Sequence, residues 1–443
     1  MDFETWEAKK LQIFAKFSSL TDEMEITVSD PSKKSVNQKI AVKGKDRTAQ
    51  IADPENTYSA RDFTTQLERI DKEMIKFWDK DDKVGAIRIA IQCCKLLNDV
   101  STPIFYPQKF ILLTDILDTF STLIHQRMMK LTKECSGGRL VITPENEESI
   151  DFSQIPERVT ETCRNWFLKL VCIREVLPRM YLEMALLKSI RYAKMSVRQS
   201  DLLRLSKMVR GIAEPLTASY TCAYLARIGR EKAPAQKDYL FQLIDFMFKI
   251  YDNTYKKGHP SMDKDQYMLL FHPTIDWVMQ CLAHQADRSV FKDVWALYQQ
   301  NAKHAIFLKS IIRYFPSEII SVAVGVIQGS IKTDFVNRFD DQLVLIKELG
   351  LALLRCPPKK AALKLELINF GWETMGKTQN AECYMDASIV LIEFSIKSLN
   401  QDAVQVFIKE IFKRFQDFAL SMSNNESIFK KLEFLLVKVM MTS

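Results

Sequence analysis

Five histidines and nine cysteines are the residues of this 443-residue chain whose types could bind a metal or act as nucleophiles. The histidines stand at 125, 259, 272, 284 and 304, and none forms an HExxH or related metal-binding spacing. They read as surface residues or as hydrogen-bonded core residues. The cysteines contain no CxxC pair, and the one adjacent pair, Cys93-Cys94, is a poor candidate for a bridge. The pattern fits reduced, mostly buried thiols in a cytosolic protein. "DKDDKVGAIRIA", from Asp79, has the look of a calcium loop, but Gly85 falls at position seven instead of six and position twelve is apolar Ala90. "SGG" at Ser136 to Gly138 does not sit between a strand and a helix, so no phosphate loop follows. The acidic run Glu145 to Glu148 reads as a solvated loop. Methionines such as Met128, Met129, Met184 and Met195 read as fillers of core gaps. The expectation is a protein with no catalytic residues, no cofactor and no metal.

A different chemistry is suggested by "REVLPRMYLEMALLKSIRYAKM", Arg174 to Met195. Pro178 is tolerated in the first turn of a helix, where its missing N–H would be unpaired in any case. Arg179 is harder to place, because the helix dipole disfavours a cation in the first turn. Leu177, Met180, Tyr181, Met184, Leu187 and the stem of Lys188 form an apolar strip around it. Such an arginine needs an acceptor, and Glu183 at i+4 and Glu175 just before the turn are the candidates within the chain. Two readings stand side by side: an ion pair joining two helices, or a node that binds a partner.

The elements that must position this stretch are helical. Glycine (12) and proline (14) are scarce, and 47% of the residues are hydrophobic. Residues 1–58 differ from the rest. After a short helical piece around Trp6 to Phe17 comes a polar, Lys/Ser-rich run broken by Pro31, Gly44 and Pro54. It reads as a mobile tail or an extended segment that docks elsewhere. From Ser59 a helical period begins, with Phe63, Leu67, Ile70, Met74 and Phe77 on one stripe. Asp81 or Asp82 caps the next helix, and a long helix follows near Pro107 to Thr132. An acidic loop near 136–156 interrupts the series. Helices are then expected at 157–175, 178–195, 199–212, 215–230, 236–256, 263–285, 288–300, 303–313, 316–329, 335–354, 358–376, 380–398, 401–422 and 426–441. Amphipathic helices joined by short turns predict an all-α, HEAT-like solenoid of stacked antiparallel helix pairs over 59–443, preceded by a polar, partly extended segment. No tetratricopeptide or ankyrin signature is present. A closed multi-helix globule fits less well, since most of these helices carry a charged face. No apolar run of 18 residues appears, nor an apolar signal core in "MDFETWEAKK". The net charge of +7 is scattered, which argues against a nucleic-acid partner.

"LPRMYLE" resembles a motif of the large helical scaffolds of retromer and of its paralogue in retriever. A second stretch agrees. "MVRGIAEPLTASYTCAYLARIG" is similar to that family's Arg-Gly, Pro-Leu and Tyr-Leu pattern, here Arg210-Gly211, Pro215-Leu216 and Tyr224-Leu225. "WEAKK" at Trp6, the stretch from Ile91 to Phe120 and "PTIDWVMQC" from Pro273 look like the retriever paralogue. The resemblance covers nearly the whole chain, taken as the family's N-terminal half to two-thirds.

What the resemblance implies is a scaffold on the cytosolic face of endosomes that recycles cargo, held to the membrane through its partners. The motif region would engage an arrestin-fold subunit through Arg179, with Pro178, Met180, Tyr181, Leu182 and Glu183 as its setting. Met180 departs from the family's usual Leu or aromatic but stays apolar. Further implied partners are a small phosphoesterase-fold subunit cradled by a more C-terminal solenoid half, coiled-coil and COMM-domain proteins of the Commander assembly, and a sorting nexin cargo adaptor. Family scaffolds continue past this point, so a truncated or short form is expected. Its last helix, 426–441, would bare Phe429, Leu432, Leu435, Leu436 and Val439. The residues alone also allow a HEAT-type adaptor in another assembly, including retromer-type transport, or a helical enzyme without a known motif.

Overall fold

The computed structural model describes residues 3–21, 25–28, 56–143, 145–398 and 401–421. The expected terminal helix at 426–441 lies outside these residues. Two compact units divide the chain, one from Asp2 to Cys281 and one from Leu282 onward.

The first unit opens with α1 (Trp6–Thr21). A short antiparallel pair follows, β1 (Glu25–Val28) with β2 (Asn56–Ser59), in the register Glu25 opposite Ser59. Ser59 also caps α2 (Ala60–Asp79), its hydroxyl accepting from the Asp62 N–H at 3.1 Å. Of the predicted stripe, Phe63, Leu67 and Met74 are buried, and Ile70 and Phe77 are half-buried. Next comes α3 (Lys83–Leu96). Its cap is Asp82, which accepts from the Gly85 N–H at 2.8 Å. A 30-residue helix, α4 (Tyr106–Cys135), follows and packs against α1, α2 and α3. Beyond it are α5 (Glu157–Val171), α6 (Val176–Leu186), α7 (Gln199–Val209), α8 (Pro215–Lys232), α9 (Asp238–Lys257), α10 (Lys264–Leu269) and α11 (His272–Ala283).

The second unit contains α12 (Arg288–Gln300), α13 (Ala305–Tyr314), α14 (Ser317–Asp334), α15 (Phe339–Arg355), α16 (Ala361–Met375), α17 (Ala381–Ile396) and α18 (Gln401–Ser421). Here α15 packs on both α13 and α17, and α14 on α16, besides their sequence neighbours. In the first unit α6 packs on α8 and α7 on α9. Contact between each helix and the next but one is the mark of α-solenoid stacking, in which alternate helices form two layers. Close approach between helices is secured at Gly350, towards the next helix but one, and at Gly371, towards the next. A Cβ at these positions would lie 2.7 Å from Val390 Cγ1 and 2.7 Å from Leu391 Cδ1 respectively.

Three local readings need correction. The helix expected over 178–195 changes after Leu186 into a 3-10 segment, Leu187–Ala193, ending at Lys194 with φ 55°. There the Ser121 hydroxyl of α4 donates to the Ala185 carbonyl at 2.6 Å. The helix expected over 263–285 is two, α10 and α11, because Pro273 has no N–H and disfavours helical backbone at the residue before it. The acidic loop is docked, not simply solvated. Gly137 and Gly138 turn the chain with φ of 61° and 78°, and Ile142, Phe152 and Ile155 are buried. His125 Nε2 lies 3.2 Å from Glu147 Oε2, and the Arg191 guanidinium sits 3.9 Å from the Phe152 ring centre.

The helical piece expected around Trp6 to Phe17 is α1, which buries Trp6, Ile13 and Phe17. Lys10 pairs with Asp115 of α4 at 2.8 Å. Burial holds the Asp115 carboxyl above its ordinary value in spite of that lysine.

Candidate partner-binding site

Arg179 lies in the first turn of α6, a helix that begins at Val176 and holds Pro178 at its third position. The turn forms because Glu175 accepts from the Arg179 N–H at 3.2 Å, while the proline has no N–H to satisfy. Pro178, Met180, Tyr181 and Leu182 all point into the core. Burial of each large apolar side chain stabilises the fold by about 1.5–3 kcal/mol. The Tyr181 hydroxyl lies 3.1 Å from Thr221 Oγ1 of α8, and its ring lies 5.0 Å from that of Tyr224. Burial raises the phenol of Tyr181 well above its ordinary value. Met180, Tyr181 and Leu182 shape α6 and present no surface of their own, whereas Pro178 also lines a neighbouring cleft.

Arg179 and Glu183 remain half-buried. The acceptors expected for Arg179 have other partners: Glu183 takes the forked guanidinium of Arg204 on α7, and Glu175 takes Lys95 of α3 at 2.5 Å. Among the described residues the Arg179 guanidinium has no hydrogen bond or ion pair. The ion-pair reading of this arginine therefore finds no partner among the described residues.

The surface near Arg179 combines the two ion pairs just named with exposed aliphatic side chains. At the corner where α5 ends and α6 begins, Leu168, Val171 and Val176 are 63%, 59% and 48% exposed. Beside it lies a cleft of about 870 Å³ whose walls include Val100, Val176, Leu177, Pro178 and Ile212. The Lys95–Glu175 pair and His259 stand at its rim. The loop that forms one wall is rigid: Asp99 holds the buried Lys109 ammonium at 3.2 Å, and the Leu97 carbonyl accepts from Tyr106 at 2.8 Å and Thr217 at 3.2 Å.

The second recognised stretch joins the first through the Tyr181–Tyr224 contact. Gly211 lines the same cleft. Pro215 opens α8, while Leu216, Tyr224 and Leu225 are buried, and Arg210 stands 3.8 Å from Asp245. Sequence reasoning missed a further cluster beneath α1. There Arg227 is buried, pairs with Asp118 at 2.5 Å and stacks on Tyr224 at 4.8 Å. Its one signal was an arginine inside the otherwise apolar run "CAYLARIG". Among the described residues no three His, Cys, Asp or Glu side chains are placed to hold a metal ion. No described helix is long and apolar enough to cross a membrane.

The packing defines an α-solenoid, and a half-buried cation without a partner among the described residues stands where α5 meets α6. Residues 5–270 match the family profile described as VPS35L, and residues 286–442 match that of the VPS35L C-terminal domain. The chain belongs to the VPS35L family. It is 30% identical over 98% of its length to a "VPS35 endosomal protein-sorting factor-like" protein of Danio rerio, of which the match covers 46%. The Homo sapiens protein of that name is 30% identical over 93% of this chain and 44% of the relative. One from Dictyostelium discoideum is 32% identical over 80% and 36%. The chain thus spans less than half the length of these curated relatives. The match to the C-terminal profile extends the likeness beyond the N-terminal part of the family alone.

Proposed function

We propose that this chain is the solenoid of a non-enzymatic scaffold in a retriever-type assembly that sorts and recycles cargo at endosomes. In this reading the α5–α6 corner carries an arrestin-fold subunit. The observation that supports it is Arg179: half-buried, without a partner among the described residues, near three exposed aliphatic side chains and a cleft of mixed polar and apolar lining. A charge in such a place is stabilised by an acceptor brought from outside, and the aliphatics supply the area that excludes water around it. The printed names of the relatives, which are endosomal protein-sorting factors, give the setting. Peripheral attachment to endosomes, a phosphoesterase-fold subunit, coiled-coil and COMM-domain proteins and a sorting nexin adaptor belong to the same proposal.

The test is titration of a purified arrestin-fold subunit of the retriever type into the chain. A one-to-one complex is expected, and the double change Leu168→Glu and Val171→Glu should abolish it without altering the helical circular dichroism. No complex at about 50 µM of each protein, above typical micromolar affinities, would overturn the reading. So would a complex indifferent to the two glutamates.

A further inference from the structure

The seam between the N-terminal segment and the first unit holds an unusual concentration of unsatisfied polar atoms. Phe3 and Trp6 both pack on Trp277 of α11, at 5.6 Å and 4.9 Å between ring centres. Trp6 also meets Phe110 of α4 edge-on. The Arg230 guanidinium of α8 lies over the Phe3 ring at 3.2 Å, and Arg227 lies over Trp6 at 5.4 Å. Gln280 donates to the Glu4 carbonyl at 3.2 Å. The aromatic fit is close, but the polar fit is not. Glu4 Oε1, Trp6 Nε1, Arg227 Nε, Trp277 Nε1 and Gln280 Oε1 are all buried without a hydrogen bond. Among the described residues this seam holds five of the twelve such side-chain atoms. Arg230 is half-buried and has no carboxylate partner among the described residues.

Buried polar atoms are normally satisfied, and a seam that leaves several unpaired is held less firmly than its apolar contacts suggest. The residues Phe3-Glu4-Thr5-Trp6 therefore behave as an occupant that suits the recess in its rings and not in its polar groups. We propose that the recess formed by Arg227, Arg230, Trp277 and Gln280 is a docking site for a partner segment with two aromatic residues three positions apart and a carboxylate immediately before the second, where this chain has Thr5; the resident carboxylate, Glu4, faces Lys9 at 3.9 Å instead. The chain's own Phe3 to Trp6 is the resident occupant that such a segment displaces. The incoming carboxylate pairs with Arg230, which no residue of the described chain neutralises. The two rings repeat the contacts of Phe3 and Trp6 with Trp277. This site lies apart from the α5–α6 corner and does not depend on the arrestin-fold reading.

A fluorescent peptide copying residues 3–10, and a second with Thr5→Asp, serve as probes in anisotropy titrations against the full chain. Against the variant Phe3→Ala, which empties part of the recess and lies outside any helix, both peptides are expected to bind at least tenfold more tightly than to the wild-type chain. The Thr5→Asp peptide should bind about fivefold more tightly than its parent. Adding Arg230→Ala should remove that advantage while circular dichroism stays unchanged. A Phe3→Ala chain that binds neither peptide would overturn the proposal and leave the seam a fixed internal contact. Binding indifferent to Arg230→Ala would overturn it as well. Should Phe3→Ala lower the melting temperature markedly, displacement is read on the wild-type chain from the fluorescence of Trp6 and Trp277. No change at saturating Thr5→Asp peptide then counts against the proposal.

Discussion

Replacing Arg179 by alanine should separate binding from stability. The guanidinium makes no hydrogen bond or ion pair within the described chain, so its removal breaks no internal interaction of that kind. What is lost in the fold is the packing of a half-buried stem, about 0.5 kcal/mol or less for a site of this type. On binding, truncating one member of a desolvated charge pair costs about 2–5 kcal/mol. At 1.36 kcal/mol per factor of ten, that is a loss of roughly 30-fold to several thousand-fold in affinity. Tyr181→Phe is the mirror experiment. It removes the hydroxyl that lies 3.1 Å from Thr221 in the core, costing about 0.5–1.5 kcal/mol of stability, yet leaves the outward surface unchanged. Urea denaturation gives the first quantity and calorimetric titration of the arrestin-fold subunit the second. Arg179→Ala should move the second alone and Tyr181→Phe the first alone. An Arg179→Ala chain that loses more than about 2 kcal/mol of stability with unaltered affinity would refute the reasoning. Its arginine would then have served the fold.

Glu147 should make docking of the 136–156 loop sensitive to acid. Burial pushes its carboxyl up, but His125, together with the charges of Lys232 and Arg191, outweighs that and leaves it below the ordinary 4.5. A depressed carboxylate contributes stability that is present above the ordinary value and lost as pH falls through the folded one. Proteolysis of the loop should therefore accelerate below pH 4.5, and Glu147→Gln should flatten the dependence. Cys172 is exposed, whereas Cys93, Cys163 and Cys281 are buried with thiols pushed up to about 12. A maleimide followed by mass spectrometry should modify Cys172 within minutes and the other three only in denaturant. Gly350→Ala would place a methyl against Val390 and should cost about 1–3 kcal/mol in a thermal melt. Gly329→Ala, with open space around it within α14, should stabilise by about 0.5–1 kcal/mol.

The helical layout was legible because many of the helices, α2, α5 and α13 among them, have an apolar stripe of period 3.6. The helix expected at 288–300 is α12 to the residue, and of the two candidate caps for α3, Asp81 and Asp82, it is Asp82 that serves. Apart from the break before Pro273, which the sequence carried, failures arose where tertiary partners act on the backbone. Nothing near Ala185 in sequence says that Ser121, sixty-four residues away, will donate to its carbonyl. Polarity alone made 136–156 look solvated, while its isolated apolar residues Ile142, Phe152 and Ile155 were the anchors. At the candidate site the sequence isolated Arg179 as a cation needing an acceptor. It could not show that Glu175 and Glu183 are already engaged by Lys95 and Arg204, because those partners come from other helices.

The hydrogen bond from Gln280 to Glu4 joins residues 276 positions apart, and this has a consequence for how the chain acquires its structure. Closing a loop of that length costs roughly 5 kcal/mol of chain entropy, to be met by the aromatic contacts of Phe3 and Trp6 only after α4, α8 and α11 have assembled. The first unit should therefore fold in two kinetic steps, with α1 docking last, and Trp6→Ala should accelerate unfolding while hardly slowing refolding. In the second unit the contacts of α13 to α18 connect helices close together in sequence, so its topology is of low contact order and favours rapid, progressive assembly from any neighbouring pair. Pulsed hydrogen exchange should accordingly find amides of α13 to α17 protected before those of α1.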